Sequence, residues 1–162
     1  VILTGDFQPM SPDGQYDLVE GVLDKIPDCK ELYTIGGFGL GATVDEPSVM
    51  GAATDLEMVA SLKEHGVRFE EEEPGAGIIG ASGLFLGVGM QRGLRGACLM
   101  GETSGFLPDP QSAAKVLTVL RAHIGLVVDA ENLDEEAEEL ARIASQLKDG
   151  ETFGPVDDMH YG

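Results

Sequence analysis

Few residues in this chain stand at spacings that chemistry would use. Gly80-Ala81-Ser82-Gly83 approaches the turn that exposes a nucleophilic serine, but Leu84 stands where G-x-S-x-G needs its second glycine. The chain's 3 histidines, His65, His123 and His160, have no spacing that ties them to Ser82 or to each other. His65 precedes Gly66 at a predicted helix end, where an imidazolium would meet the negative end of the helix dipole. Glu70 to Glu73 place four carboxylates in a row. Adjacent side chains diverge, so this run predicts a solvated charged turn rather than a cation site. Gly37 to Ala42 fits the G-x-G-x-x-A dinucleotide fingerprint, with Glu57 about twenty residues on. That fingerprint needs a helix starting at the loop to hold a pyrophosphate. The chain continues Thr43-Val44-Asp45-Glu46-Pro47, which starts no helix, so a permissive glycine loop is predicted. These readings assign no catalytic residue, no metal site and no cofactor.

Two places remain. Glu102-Thr103-Ser104 follows a predicted strand, where open α/β sheets hold ligands, and is the candidate ligand loop. His160-Tyr161-Gly162 ends a polar, aperiodic stretch. Such an end works as a peptide ligand: a lysine or backbone N–H groups capture the carboxylate while the aromatic ring fills a pocket.

Strands and helices alternate along the chain. Val1 to Phe7 reads as a buried strand, and Tyr16, Val19, Val22, Leu23 and Ile26 recur at helical spacing after the turn Ser11-Pro12-Asp13-Gly14. Leu32 to Ile35 and Val49 to Ala53 are strand-like, and Thr54 is the predicted cap of a helix carrying Leu56, Val59, Ala60 and Leu62. Ile78 to Met90 is apolar and rich in glycine, which predicts a buried helix. Gly96 to Met100 is another strand, with a loop from Gly101 to Gly105. Asp109 caps a helix from Pro110 to Ile124, with proline at its first position. This order predicts an α/β fold with a mainly parallel sheet. Leu133, Ala137, Leu140, Ala144 and Leu147 then form a stripe on an acidic helix. It packs on its own domain or, alternatively, forms a seam between subunits. The expected organisation is an α/β domain over 1–128, this acidic helix over 129–148 and a flexible tail over 149–162.

The chain has 162 residues, 43% hydrophobic, enough for one domain with a core. Its formal net charge of -19 repels nucleic-acid phosphates and anionic lipid, so neither is an expected partner. The acidic residues spread along the whole chain, which favours adaptation to a salt-rich cytosol over a match to one basic partner. No run is long and apolar enough to span a bilayer, and no signal peptide is evident, so a cytoplasmic location is expected. Cys98 in Ala97-Cys98-Leu99-Met100 reads as a small buried hydrophobe. The opening Val1-Ile2-Leu3-Thr4, without Met, suggests a partial chain.

Gly80-Ala81-Ser82-Gly83-Leu84, Leu99-Met100-Gly101-Glu102-Thr103-Ser104-Gly105 and Asp109-Pro110-Gln111-Ser112-Ala113-Ala114 resemble the PAC2 family, relatives of proteasome assembly chaperones. Gly51-Ala52-Ala53-Thr54 and Glu73-Pro74-Gly75 belong to the same resemblance, which runs from about Val1 to Lys148. It implies a three-layer α/β/α domain that forms homo-oligomers without established enzymatic activity. It also implies docking on the proteasome α-subunit ring through a C-terminal hydrophobic-Tyr-any motif, whose carboxylate meets a pocket lysine. Tyr161 and Gly162 match that motif. His160 departs from it, and Met159 beside it supplies apolar contact. The alternative function is a small-molecule-binding protein or enzyme, with its site near Glu102 at the sheet's C-terminal edge.

Overall fold

A computed structural model describes residues 1–5, 7–42, 44–69, 78–106, 109–126 and 142. The Glu70 to Glu73 run, the acidic helix over 129–148 and the tail with His160, Tyr161 and Gly162 lie outside the described residues. The elements are α1 (Pro12–Leu23), β1 (Glu31–Gly39), β2 (Val49–Ala53), α2 (Leu56–Glu64), α3 (Ala81–Gln91), β3 (Arg95–Thr103) and α4 (Pro110–Ile124). This is a mixed α/β fold. The described sheet has the order β1-β3-β2, with β1 parallel and β2 antiparallel to β3, so it is mixed rather than mainly parallel.

Three of the four described helices start at a side chain that satisfies an open N–H group, while α3 starts after Gly80 and the Ala81 N–H is accepted by Gln8 Oε1 at 3.1 Å. Ser11 Oγ accepts the Gly14 N–H at 3.2 Å, and Asp109 Oδ1 accepts the Ser112 N–H at 3.0 Å. The α2 cap is Asp55, whose Oδ1 accepts the Met58 N–H at 2.9 Å, and not the predicted Thr54. Thr54 instead serves the sheet: its Oγ1 accepts the Gly96 N–H at 3.0 Å. Arg95, at the start of β3, donates to both Asp55 oxygens and holds that carboxyl down at about 2.

Alternate residues of β1 meet different helices, as the pleat requires. Tyr33 packs with Ala97, Leu99, Met58, Leu62, Val116 and Val119, the cluster under α2 and α4. Thr34 Oγ1 donates to the Ser82 carbonyl of α3 at 3.3 Å. A second cluster joins Val19 and Leu23 of α1 to Val88, Leu84 and Phe85 of α3. Leu62 and Leu99 are fully buried, and each burial stabilises by about 1.5–3 kcal/mol. Cys98 is fully buried too, and burial pushes its thiol upward, as its apolar neighbours predicted. Arg92, after α3, pairs with Glu20 and Asp24 and clips α1 in place.

Two strands run past their predicted ends. Gly36 to Gly39, expected as a loop, continue β1, because Gly36 to Gly39 pair with Met100 to Thr103. By the same pairing Gly101, Glu102 and Thr103 belong to β3, not to a loop. Val1 to Phe7 differs the other way. Its described residues form no strand, and Val1, Ile2, Leu3 and Phe7 are exposed.

Candidate functional site

The candidate loop separates into three roles. Glu102 sits against Ser48, which leads into β2, and Arg68, which follows α2. One Glu102 oxygen accepts the Ser48 N–H at 3.0 Å, and the other accepts Arg68 Nη1 at 3.3 Å. Hydrogen bonds from Ser48, its side chain first, hold this carboxyl below the usual range, with a smaller attraction from Arg68. Both oxygens are therefore engaged in joining β3 to its neighbours. Thr103 faces a cavity between β1 and α4. Ser104 closes a turn, its Oγ accepting the Phe106 N–H at 3.4 Å.

The remaining sequence motifs resolve as structure. Gly37 to Gly39 lie in β1, and no helix follows among residues 40–42 and 44–48, so the fingerprint lacks the helix N-terminus it needs. Gly80 has φ of 95° and begins α3, and Ser82 lies in that helix's first turn.

Sequence spacing missed one cluster entirely. His123, near the end of α4, places Nε2 3.1 Å from the Tyr33 hydroxyl and Nδ1 3.3 Å from Ser61 Oγ. The His65 ring lies edge-on to His123, with centroids 5.8 Å apart. Tyr33 donates to Glu31 Oε2 at 3.2 Å, since a carboxylate only accepts. The Tyr33 oxygen then accepts from His123 Nε2–H, and His123 Nδ1 accepts from Ser61. With the Tyr33 proton directed at Glu31, this order of donors corresponds to the neutral imidazole protonated at Nε2. Burial, followed by the charge of Glu31, pushes Tyr33 up to about 12. Burial, followed by the charge of His65, lowers His123.

That lowering has a definite sign. A histidine depressed in the folded state contributes no penalty above its ordinary pKa of about 6.5. Stability falls as pH drops below that value, because the unfolded chain binds the proton more readily. Protonation would also force Ser61 to accept rather than donate. The urea midpoint is therefore expected to be lower at pH 5.5 than at pH 8. His123→Gln, which keeps hydrogen-bonding capacity without titrating, should shrink the difference. An unchanged difference would remove His123 as its source.

The three strings that carried the resemblance fall at the ends of elements, and those of β3 and α4 touch. Gly80 to Leu84 lead into α3, Leu99 to Gly105 run through the end of β3 into the turn after it, and Asp109 to Ala114 start α4. Their packing is tight: a Cβ at Gly101 would lie 2.1 Å from Ser112 Oγ. A model of the PAC2 family matches residues 1–148.

The chain belongs to the PAC2 family.

Among PAC2-related structures, it is similar to Pyrococcus furiosus PbaB, an archaeal proteasome activator. The TM-score is 0.77 and the identity 32%, over 90% of this chain and 63% of that one. It is also similar to PbaA of the same organism, an archaeal homolog of proteasome-assembly chaperone. There the TM-score is 0.72 and the identity 29%, over 91% of this chain and 62% of that one. The uncharacterized protein MJ1210 of Methanocaldococcus jannaschii is 37% identical over 151 residues, covering 91% of this chain and 57% of that protein. The chain thus spans about three-fifths of the length of these relatives. Among the described residues no helix is long and apolar enough to cross a membrane.

Proposed function

We propose that this chain is a chaperone-like or activator-like partner of the proteasome. In this reading a homo-oligomer docks on the α ring of the 20S core particle through His160, Tyr161 and Gly162, without catalysis of its own. The similarity to the proteasome activator PbaB over 90% of the chain carries the reading. The similarity to PbaA points to the same class of partner. In this account the domain is a three-layer α/β/α unit over 1–128, a cytoplasmic one, with an acidic helix over 129–148. The two separate helix clusters served by alternate residues of β1 support the layering.

Residues 149–162 act as the tether. A flexible chain of that length has a root-mean-square reach of roughly 20 Å. Docking orders it at a free-energy cost. Several tails on one oligomer offset that cost, because the second tail binds from a high effective concentration. The mechanism needs the terminal carboxylate at the right distance from the Tyr161 ring. One residue added after Gly162 displaces the carboxylate and is expected to weaken binding to core particle by about tenfold or more, the worth of one desolvated charge-assisted contact. Equal binding of the extended protein would remove the carboxylate from the mechanism.

A further inference from the structure

A cavity of about 350 Å³ opens where the C-terminal ends of β1 and β3 meet the first turn of α4. Ile35, Val116 and Leu117 supply its apolar wall, and Thr103, Asp109 and Ser112 its polar groups. Ser112 is only 5% exposed, yet its hydroxyl makes no hydrogen bond to another described residue. Ser112 is one of the residues that line the cavity. It is seated over Gly101, where a Cβ would lie 2.1 Å from Oγ. A buried hydroxyl on an apolar wall is the kind of single polar group that orients a small ligand.

Charge decides what kind of ligand. The N-terminus of α4 would draw an anion, but Asp109 already caps it with its own carboxylate. Only Oδ1 of that carboxylate takes the Ser112 N–H, at 3.0 Å. The whole chain carries a formal net charge of -19, which repels anions further. The geometry points to a small-ligand site for a short apolar molecule bearing a cationic amine. The hydrocarbon lies on Ile35, Val116 and Leu117. The ammonium faces Asp109 and donates to Ser112 Oγ. This site uses no part of the C-terminal tail, so it stands or falls apart from proteasome docking.

The test is amide NMR on the full chain, with cyclohexylammonium, cyclohexanol and cyclohexanecarboxylate as probes. Cyclohexylammonium is expected to shift the amides of Gly37, Thr103, Ser112 and Ala113 saturably. Cyclohexanecarboxylate should bind at least about tenfold more weakly. Asp109→Asn keeps a capping side chain and should bring the ammonium down to the level of the alcohol. Ala113→Leu, at an exposed lining position, should fill the mouth and abolish saturation while the rest of the spectrum is unchanged. The inference is overturned if no probe saturates at these amides. It is also overturned if the ammonium binds no more tightly than the alcohol or the carboxylate, or if Ala113→Leu binds as well as the native chain.

Discussion

Gly96→Ala is expected to destabilise the domain by about 3 kcal/mol, the upper end of the usual cost of overpacking. The cause is main chain against main chain. Gly96 stands opposite Leu32 in the parallel pair, and a Cβ there would lie 2.0 Å from the Leu32 carbonyl oxygen. No rotamer change relieves such a contact, so β1 must move away from β3. On the other side Gly96 cannot retreat, because its N–H and C=O are both bonded to Thr54 at 3.0 Å. In a domain of this size the loss corresponds to a fall in Tm of roughly 6–12 °C. Gly21→Ala is the matched control. Gly21 lies in α1 with nothing within 4 Å of an added Cβ. Alanine there should stabilise by about 0.5–1 kcal/mol, by lowering the entropy lost on folding. Urea unfolding of the two variants beside the parent chain checks both signs. A Gly96→Ala midpoint equal to the parent's would mean that the β1–β3 pairing is looser than described.

The second large effect belongs to the tail. Tyr161→Ala is expected to weaken binding to the proteasome core particle by about 30- to 1,000-fold, the range of a buried aromatic anchor worth 2–4 kcal/mol. A tyrosine ring buries enough area to supply this, and its hydroxyl keeps a partner or water at the pocket rim. Several tails on one oligomer should steepen the loss, because each weakened contact is repeated. In the proposed reading Tyr161 takes no part in the folded core, so the unfolding midpoint should not move. Binding measured by interferometry on immobilised core particle, with unfolding measured in parallel, separates docking from folding. Unaltered binding would make Tyr161 an ordinary solvated residue.

Several elements were legible from a local signal, although the apolar run Val1 to Phe7 forms no strand among its described residues. Asp109 and Pro110 announced α4 to the residue, because a cap and an N1 proline act within one turn. The apolar, glycine-rich run from Ile78 to Met90 was legible as a helix, formed over Ala81–Gln91, but not as a buried one, since Val88 and Gly89 alone are buried in it and Ile79 and Met90 are exposed. The second half of β1 was invisible for the opposite reason. Gly36, Gly37 and Gly39 carry no side chain, so no alternation marks them as strand, and only pairing with β3 makes them one. Thr54 and Asp55 are both good caps by type, and the choice between them depended on Gly96, far along the chain. The cluster of Tyr33, Ser61, His65 and His123 had no local signal at all, because three different elements bring it together. Glu102 was found by position, but Ser48 and Arg68 had already engaged it. The tail was singled out by its residue types, a penultimate tyrosine beside a terminal carboxylate, and only the resemblance supplied the partner expected for it.

The most direct test of the central claim is binding to purified core particle from the same source, in buffer at the native salt level. The intact chain would be measured beside one lacking His160, Tyr161 and Gly162. The account predicts saturable binding of the intact chain, and its loss in the shortened one with the fold unchanged. Equal binding by both chains, or none by either, would contradict it.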